Sequence, residues 1–172
     1  MRIAFMLGAI AFLSGCADSH RWSPVQTGAA PISTKNSFYI STPADGQYGD
    51  HTYQGSGRNT AQIIYGALAR HTHSVRIGPS ADNYDDALRS ARTAGQDILI
   101  LPSILHWEDR ATEWSMIPDK VELKIDVIQV SSGETLSSGV VEGKSGLATF
   151  GGDHPQDLLP EPVGEWIKTL FN

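Results

Sequence analysis

The sequence predicts a mixed α/β (α+β) fold: a mainly five-stranded sheet with about three helices packed on it, in the order βαβαβββα. Three observations predict it. Apolar residues recur at helical spacing between the first apolar segments, which implies crossover connections and parallel strands. Asp97 to Leu105 (Asp-Ile-Leu-Ile-Leu-Pro-Ser-Ile-Leu) is apolar almost throughout, as in a strand covered on both faces. Lys120 to Val130 alternates Val121, Leu123, Ile125 and Val127 with Glu122, Lys124 and Asp126, as in a half-exposed strand.

The elements follow in order. Ser37 to Ser41 is rich in aromatic and β-branched residues and reads as the first strand. Thr42 to Gly57 is a loop marked by Pro43, Asp45-Gly46, Gly49, Gly55 and Gly57. A helix capped by Ser56 or Asn59 and running to about His71 carries Ala61, Ile64 and Leu68 on one face. Ser74 to Ile77 is a short strand closed by Gly78-Pro79. Asn83 to Ala94 is a helix with Tyr84, Ala87, Leu88 and Ala91 on one face and Gly95 as its stop. The buried strand follows, then the alternating strand. Ser132-Gly133 turns the chain so that Thr135 to Lys144 returns antiparallel. A last helix spans Leu158 to Phe171, with Leu159, Val163, Trp166, Ile167 and Leu170 as its apolar residues.

Ahead of this domain stands a secretory signal. Met1 and Arg2 supply positive charge, Ile3 to Leu13 is apolar, and Ser14-Gly15 supplies small residues. A membrane-spanning helix needs about 20 apolar residues; this run is too short and is followed at once by Asp18, His20 and Arg21. Cys16 is the only cysteine, so it forms no internal disulfide. Leu13-Ser14-Gly15-Cys16 resembles the lipobox of bacterial lipoproteins. That resemblance implies cleavage before Cys16, a diacylglyceryl group on its thiol, and three acyl chains. Each buried methylene adds about 0.8 kcal/mol of membrane affinity, so such an anchor is firm. Ala17, rather than Asp, follows the cysteine, which favours the outer over the inner membrane under lipoprotein sorting. The expected organisation is a signal over 1–15, a lipidated cysteine and flexible linker over 16–36, and one periplasmic domain over 37–172. As a coil, the linker would span roughly 25 Å.

Charge narrows the function. The chain carries a net charge of −6, and loss of Arg2 with the signal leaves −7. An acidic domain does not attract phosphate backbones, so nucleic acid is not an expected partner. The length suits one core, and without disulfides its stability rests on packing.

Three motifs are candidates for function. The first follows the buried strand: His106-Trp107-Glu108-Asp109-Arg110-Ala111-Thr112-Glu113-Trp114. Alternation places His106, Glu108 and Arg110 on one side and Trp107 and Asp109 on the other. Arg110 can pair with Glu108, Asp109 or Glu113, and the indoles of Trp107 and Trp114 can cover the sheet or each other. Aromatic residues and arginine are also enriched where proteins meet, so Trp107, Trp114 and their charged neighbours form a candidate binding surface. The second motif, Gly151-Gly152-Asp153-His154-Pro155-Gln156-Asp157, reads as a helix entry; it brings Asp153 and His154 as further candidates. His106, Glu108 and Glu113 with Asp153 and His154 offer metal-type side chains without a diagnostic spacing, so no metal or cofactor is assigned. A Glu–His acid/base pair keeps an envelope hydrolase open. The third motif, Gly55-Ser56-Gly57-Arg58, precedes a helix and could hold an anion on free N–H groups, or be a glycine turn capped by Ser56.

From Tyr48 onward the chain resembles an uncharacterised bacterial lipoprotein family, a domain of unknown function. The residues that carry this are Gly55-Ser56-Gly57-Arg58, the run from His106 to Ser115, Ile117-Pro118-Asp119-Lys120 and the run from Gly151 to Leu158. The element order is also similar to the curli-secretion lipoprotein, the penicillin-binding-protein activator and the N-terminal domain of the Tol translocation protein. Those relatives bind other proteins. The resemblance therefore implies a lipid-anchored, non-enzymatic accessory subunit with an envelope protein as partner. A domain binding a small ligand or ion is the alternative.

Overall fold

The computed structural model describes residues 18–27, 30–81, 83–109, 118–146 and 154–172. Its strands are β1 (Ser19–Gln26), β2 (Phe38–Thr42), β3 (Gln47–Tyr48), β4 (His51–Thr52), β5 (Val75–Ser80), β6 (Ile98–Glu108), β7 (Lys120–Gln129) and β8 (Thr135–Lys144). The helices are α1 (Ser56–Leu68), α2 (Tyr84–Thr93) and α3 (Pro160–Thr169), the last preceded by a 3₁₀ turn over Pro155–Leu158.

The main sheet has six strands in the order β1-β8-β7-β6-β2-β5. β2 runs parallel to β5 and β6, as the helical crossovers α1 and α2 require. β6, β7 and β8 form an antiparallel meander. The expected mixed sheet with three helices is therefore present, with one strand more than expected. β3 and β4 make a small hairpin inside the expected loop.

The additional strand, β1, corrects the linker expected over 16–36. Ser19–Gln26 pairs antiparallel with β8 from Ser19↔Lys144 to Gln26↔Ser138. Its sequence is polar because it is an edge strand with mostly exposed side chains. Trp22 alone of its residues packs on the main core. Further on, the Ile32 N–H donates to Leu170 O at 2.7 Å, so this segment too is held to the domain.

α1 and α3 cover one face of the sheet. Ile64 and Leu68 meet Val163, Trp166 and Ile167 over Phe38, Ile40, Ile98, Ile100, Leu123, Ile125 and Val141. Two glycines on β8 permit this close approach. A Cβ at Gly139 would lie 2.4 Å from Trp166 Nε1, and one at Gly143 would lie 2.7 Å from Leu158 Cβ. α2 covers the other face only at one end, packing Ala87, Leu88 and Ala91 on Tyr39, Leu99, Ile128 and Val130. Its start is as expected: Asn83 accepts from the Asp86 N–H, and Gly95 follows in the left-handed region. β5 runs through Gly78-Pro79 rather than ending there, which an edge strand tolerates.

Candidate functional site

The second half of β6 extends beyond the end of β2, where the β3–β4 hairpin comes alongside it; Tyr48 meets the His106 ring edge-on at 5.4 Å. The pairing of β6 with β7 shifts between Ile104 and His106. Leu105 is the extra residue and is 52% exposed. This bulge exchanges the two faces of the strand. Before it, even-numbered Ile98, Ile100 and Ile104 point to the core under α1 and α3. After it, Trp107 does.

Trp107 is therefore 2% exposed and part of the main core. That corrects its place in the expected binding surface: its role is packing. His106 and Glu108 share the opposite face, as alternation requires. His106 Nε2 lies 3.0 Å from Glu108 Oε2, and Glu108 is buried at 3% exposure. A buried carboxylate needs a charged or hydrogen-bonded partner, and His106 is one.

Asp109 turns towards a different group. Its carboxylate lies 3.2 Å from His154 Nδ1, and its backbone N–H meets the Tyr53 hydroxyl at 3.3 Å. His51, Asn59, Gln156 and Trp107 join them around a cleft of about 340 Å³. Position 154 is fixed because its N–H donates to Asp157 Oδ2 and its C=O accepts from the Asp157 N–H, closing the turn that Pro155 begins. The metal-type grouping expected from sequence is thus divided: His106 pairs with Glu108, and His154 with Asp109. Arg110, Glu113, Trp114 and Asp153 lie outside the described residues, as does Cys16.

The Gly55-Ser56-Gly57-Arg58 motif already holds an anion, one from its own chain. The Gly55 and Gly57 N–H groups donate to the two oxygens of Asp45, at 3.1 and 2.9 Å. Gly55 sits at φ 88, and a side chain at Gly57 would meet Pro43 O at 2.2 Å. Ser56 is not the cap. Its hydroxyl donates to Tyr53 O and accepts from the Gly46 N–H. Arg58 is exposed. Sequence reasoning left Asp45 as a loop residue; its sign was an acidic side chain ten residues before a Gly-x-Gly helix entry.

Two further groups were missed. On the face beyond α2, Arg21 on β1 makes a two-pronged pair with Glu142 on β8, at 2.9 Å for each bond. The Glu142 hydrogen bonds and charge raise the Arg21 guanidinium above its usual value. Beside them, Lys124 Nζ reaches Asp126 at 2.8 Å, and the Ser138 hydroxyl donates to the same carboxylate. On the other face, His20, Glu161 and Glu165 bring ligand atoms within 4.8 Å of one another, all exposed. That trio is the metal-type grouping among the described residues.

The profile of a domain-of-unknown-function family, DUF4823, matches residues 31–170. The chain belongs to the DUF4823 family. No curated protein sequence matches this DUF4823 chain. Its fold is similar to the PelC dodecamer from Paraburkholderia phytofirmans, with TM-score 0.68 and 15% identity over 90% of this chain and 97% of that one. It is also similar to lipoprotein GNA1162 from Neisseria meningitidis, with TM-score 0.54 and 11% identity over 79% of this chain and 95% of that one. A third likeness is to protein XCC0632 from Xanthomonas campestris, with TM-score 0.50 and 11% identity over 81% and 85%. The DUF4823 domain thus shares its fold with an established lipoprotein. No helix among its described residues is long and apolar enough to cross a membrane.

Proposed function

We propose that this DUF4823 protein is a lipid-anchored component of the bacterial cell envelope, acylated at Cys16, facing the periplasm, and held in the outer membrane. Its role is that of a non-enzymatic binding subunit in an envelope assembly. The lipobox supports the anchor, and the fold shared with GNA1162 and PelC agrees with it.

The observation that carries the binding role is the sheet's second face. The described helices cover it only at the α2 end. Beyond that end, two ion pairs, Arg21 with Glu142 and Lys124 with Asp126, lie on three strands. Charged groups already paired within one surface keep their geometry when a partner arrives, so little ordering is lost on binding. The partner is a second envelope protein or further copies of this chain; PelC forms a dodecamer.

Crosslinking in intact cells, followed by mass spectrometry, tests this. Recovery of one stoichiometric partner, self or other, is expected. It should be lost when Lys124→Glu and Glu142→Lys are combined in a folded, acylated protein. A partner retained by that variant removes this face from the account, and a chain with no partner removes the binding role.

A second reading rests on the cleft around Asp109 and His154, whose hydrogen-bonding lining suits a small polar ligand or an ion. Retention of a ligand or metal through purification, abolished by His154→Ala, would favour it.

A further inference from the structure

We propose that the end of the sheet where β1 begins lies directly against the membrane surface, with Lys120 and Lys144 facing the phosphates of lipid headgroups. The inference rests on acylation of Cys16 and goes beyond it to the orientation of the domain.

Chain length limits how far the anchor can lie from the domain. Asp18 is fixed to the domain: its carboxylate accepts from the Gly146 N–H at 2.9 Å, and Ser19 is already in register with Lys144. Only two residue steps separate Cys16 from Asp18. A chain advances at most about 3.6 Å per residue, so the acylated residue lies within about 7 Å of Asp18. A free 20-residue spacer would allow roughly 25 Å on average and any orientation. β1 leaves no such spacer.

The strands then define which surface is near the lipid. Ser19, Lys144, Lys120 and Glu108 are successive partners across β1, β8, β7 and β6, so four strand ends share this pole. The β7–β8 turn at Ser132-Gly133 marks the opposite pole. Ten residues of β8 at about 3.3 Å each put it about 30 Å further away.

Charge supplies an independent reason. Lys120 and Lys144 stand directly opposite each other. Like charges in that position repel and destabilise the pair. Both are exposed, and neither makes an ion pair among the described residues. In the next row, Arg21 is neutralised by Glu142, and His106 lies against Glu108. These two lysines thus stand at the lipid end, where anionic headgroups attract lysine.

The test uses full-length acylated protein in vesicles of phosphatidylethanolamine and phosphatidylglycerol containing a headgroup spin-labelled lipid. Because Cys16 is the only native cysteine, an introduced one is the sole free thiol once Cys16 is acylated. A bimane fluorophore on Lys144→Cys, and separately on Lys120→Cys, should be quenched several-fold more than one on Ser132→Cys. Insertion of a 12-residue Gly/Ser spacer after Ala17 should abolish the difference while acylation, followed by mass, persists. Equal or absent quenching at both poles of an acylated protein overturns the orientation and leaves the anchor standing. A protein that is not acylated at Cys16 overturns both.

Discussion

The contact between Gly139 on β8 and Trp166 on α3 offers a quantitative check on how the helical layer sits on the sheet. The indole is 1% exposed, and a Cβ at position 139 would lie 2.4, 2.9 and 3.0 Å from its Nε1, Cε2 and Cδ1 atoms. Gly139→Ala should therefore overpack this site and cost about 1–3 kcal/mol. Trp166→Ala removes the obstructing atoms and leaves a cavity, at a cost of about 3–5 kcal/mol. With the indole gone, the new methyl enters vacated space. Gly139→Ala should then cost nothing or restore up to about 0.8 kcal/mol, the value of one buried methylene. The coupling should reach about 1–3 kcal/mol, well above the 0.3–0.5 kcal/mol or so expected of independent sites. Urea unfolding followed by far-ultraviolet circular dichroism measures all four corners without a tryptophan signal. If Gly139→Ala costs the same in both backgrounds, the indole does not rest on that glycine and the placement of α3 is wrong.

Four further outcomes follow from named contacts. Trp107→Ala should lower stability by about 3–5 kcal/mol in thermal or urea unfolding, because the side chain is core; a loss below about 1 kcal/mol would return Trp107 to the surface. Asp45→Ala leaves the Gly55 and Gly57 N–H groups without their acceptor. It should cost about 2–4 kcal/mol, with Asp45→Asn less harmful in the same assay. Thr60, buried with no partner for its hydroxyl among the described residues, should tolerate Thr60→Val with unchanged or slightly higher melting temperature. The Ser37 N–H and hydroxyl both donate to Asp97, holding its carboxyl below the usual value of 3.8. That stabilisation is fully present above pH 3.8 and is lost as pH falls through the lower folded-state value. Asp97→Asn should therefore flatten the acid limb of the stability–pH curve, measured by urea titration below pH 4.

Much of the fold was legible because its strands obey simple periods. The alternation from Lys120 to Val130 and its return over Thr135–Lys144 follow from one buried and one solvated face; the observed strands are Lys120–Gln129 and Thr135–Lys144. β1 was not legible, because an edge strand needs a partner's backbone more than apolar side chains; Trp22 and the exposed Val25 are its hydrophobic residues. The bulge at Leu105 was equally silent. Nothing in Ile-Leu-His-Trp announces an extra residue, yet it decides that Trp107 faces the core while His106 and Glu108 face the other way. The division of His106 and Glu108 from Trp107 follows from alternation, but which side meets the core depends on that bulge. Asp45 was hidden because its partners lie across a loop that contains its own hairpin.

The anchor, the orientation and the envelope role all depend on Cys16. Intact-mass spectrometry of the protein extracted from membranes, with Cys16→Ser as control, tests it. The expected result is a chain beginning at Cys16 and carrying acyl mass on that residue, absent from the variant. A chain that keeps residues 1–15, or begins at Cys16 without lipid, would contradict the anchor, the orientation and the envelope role together.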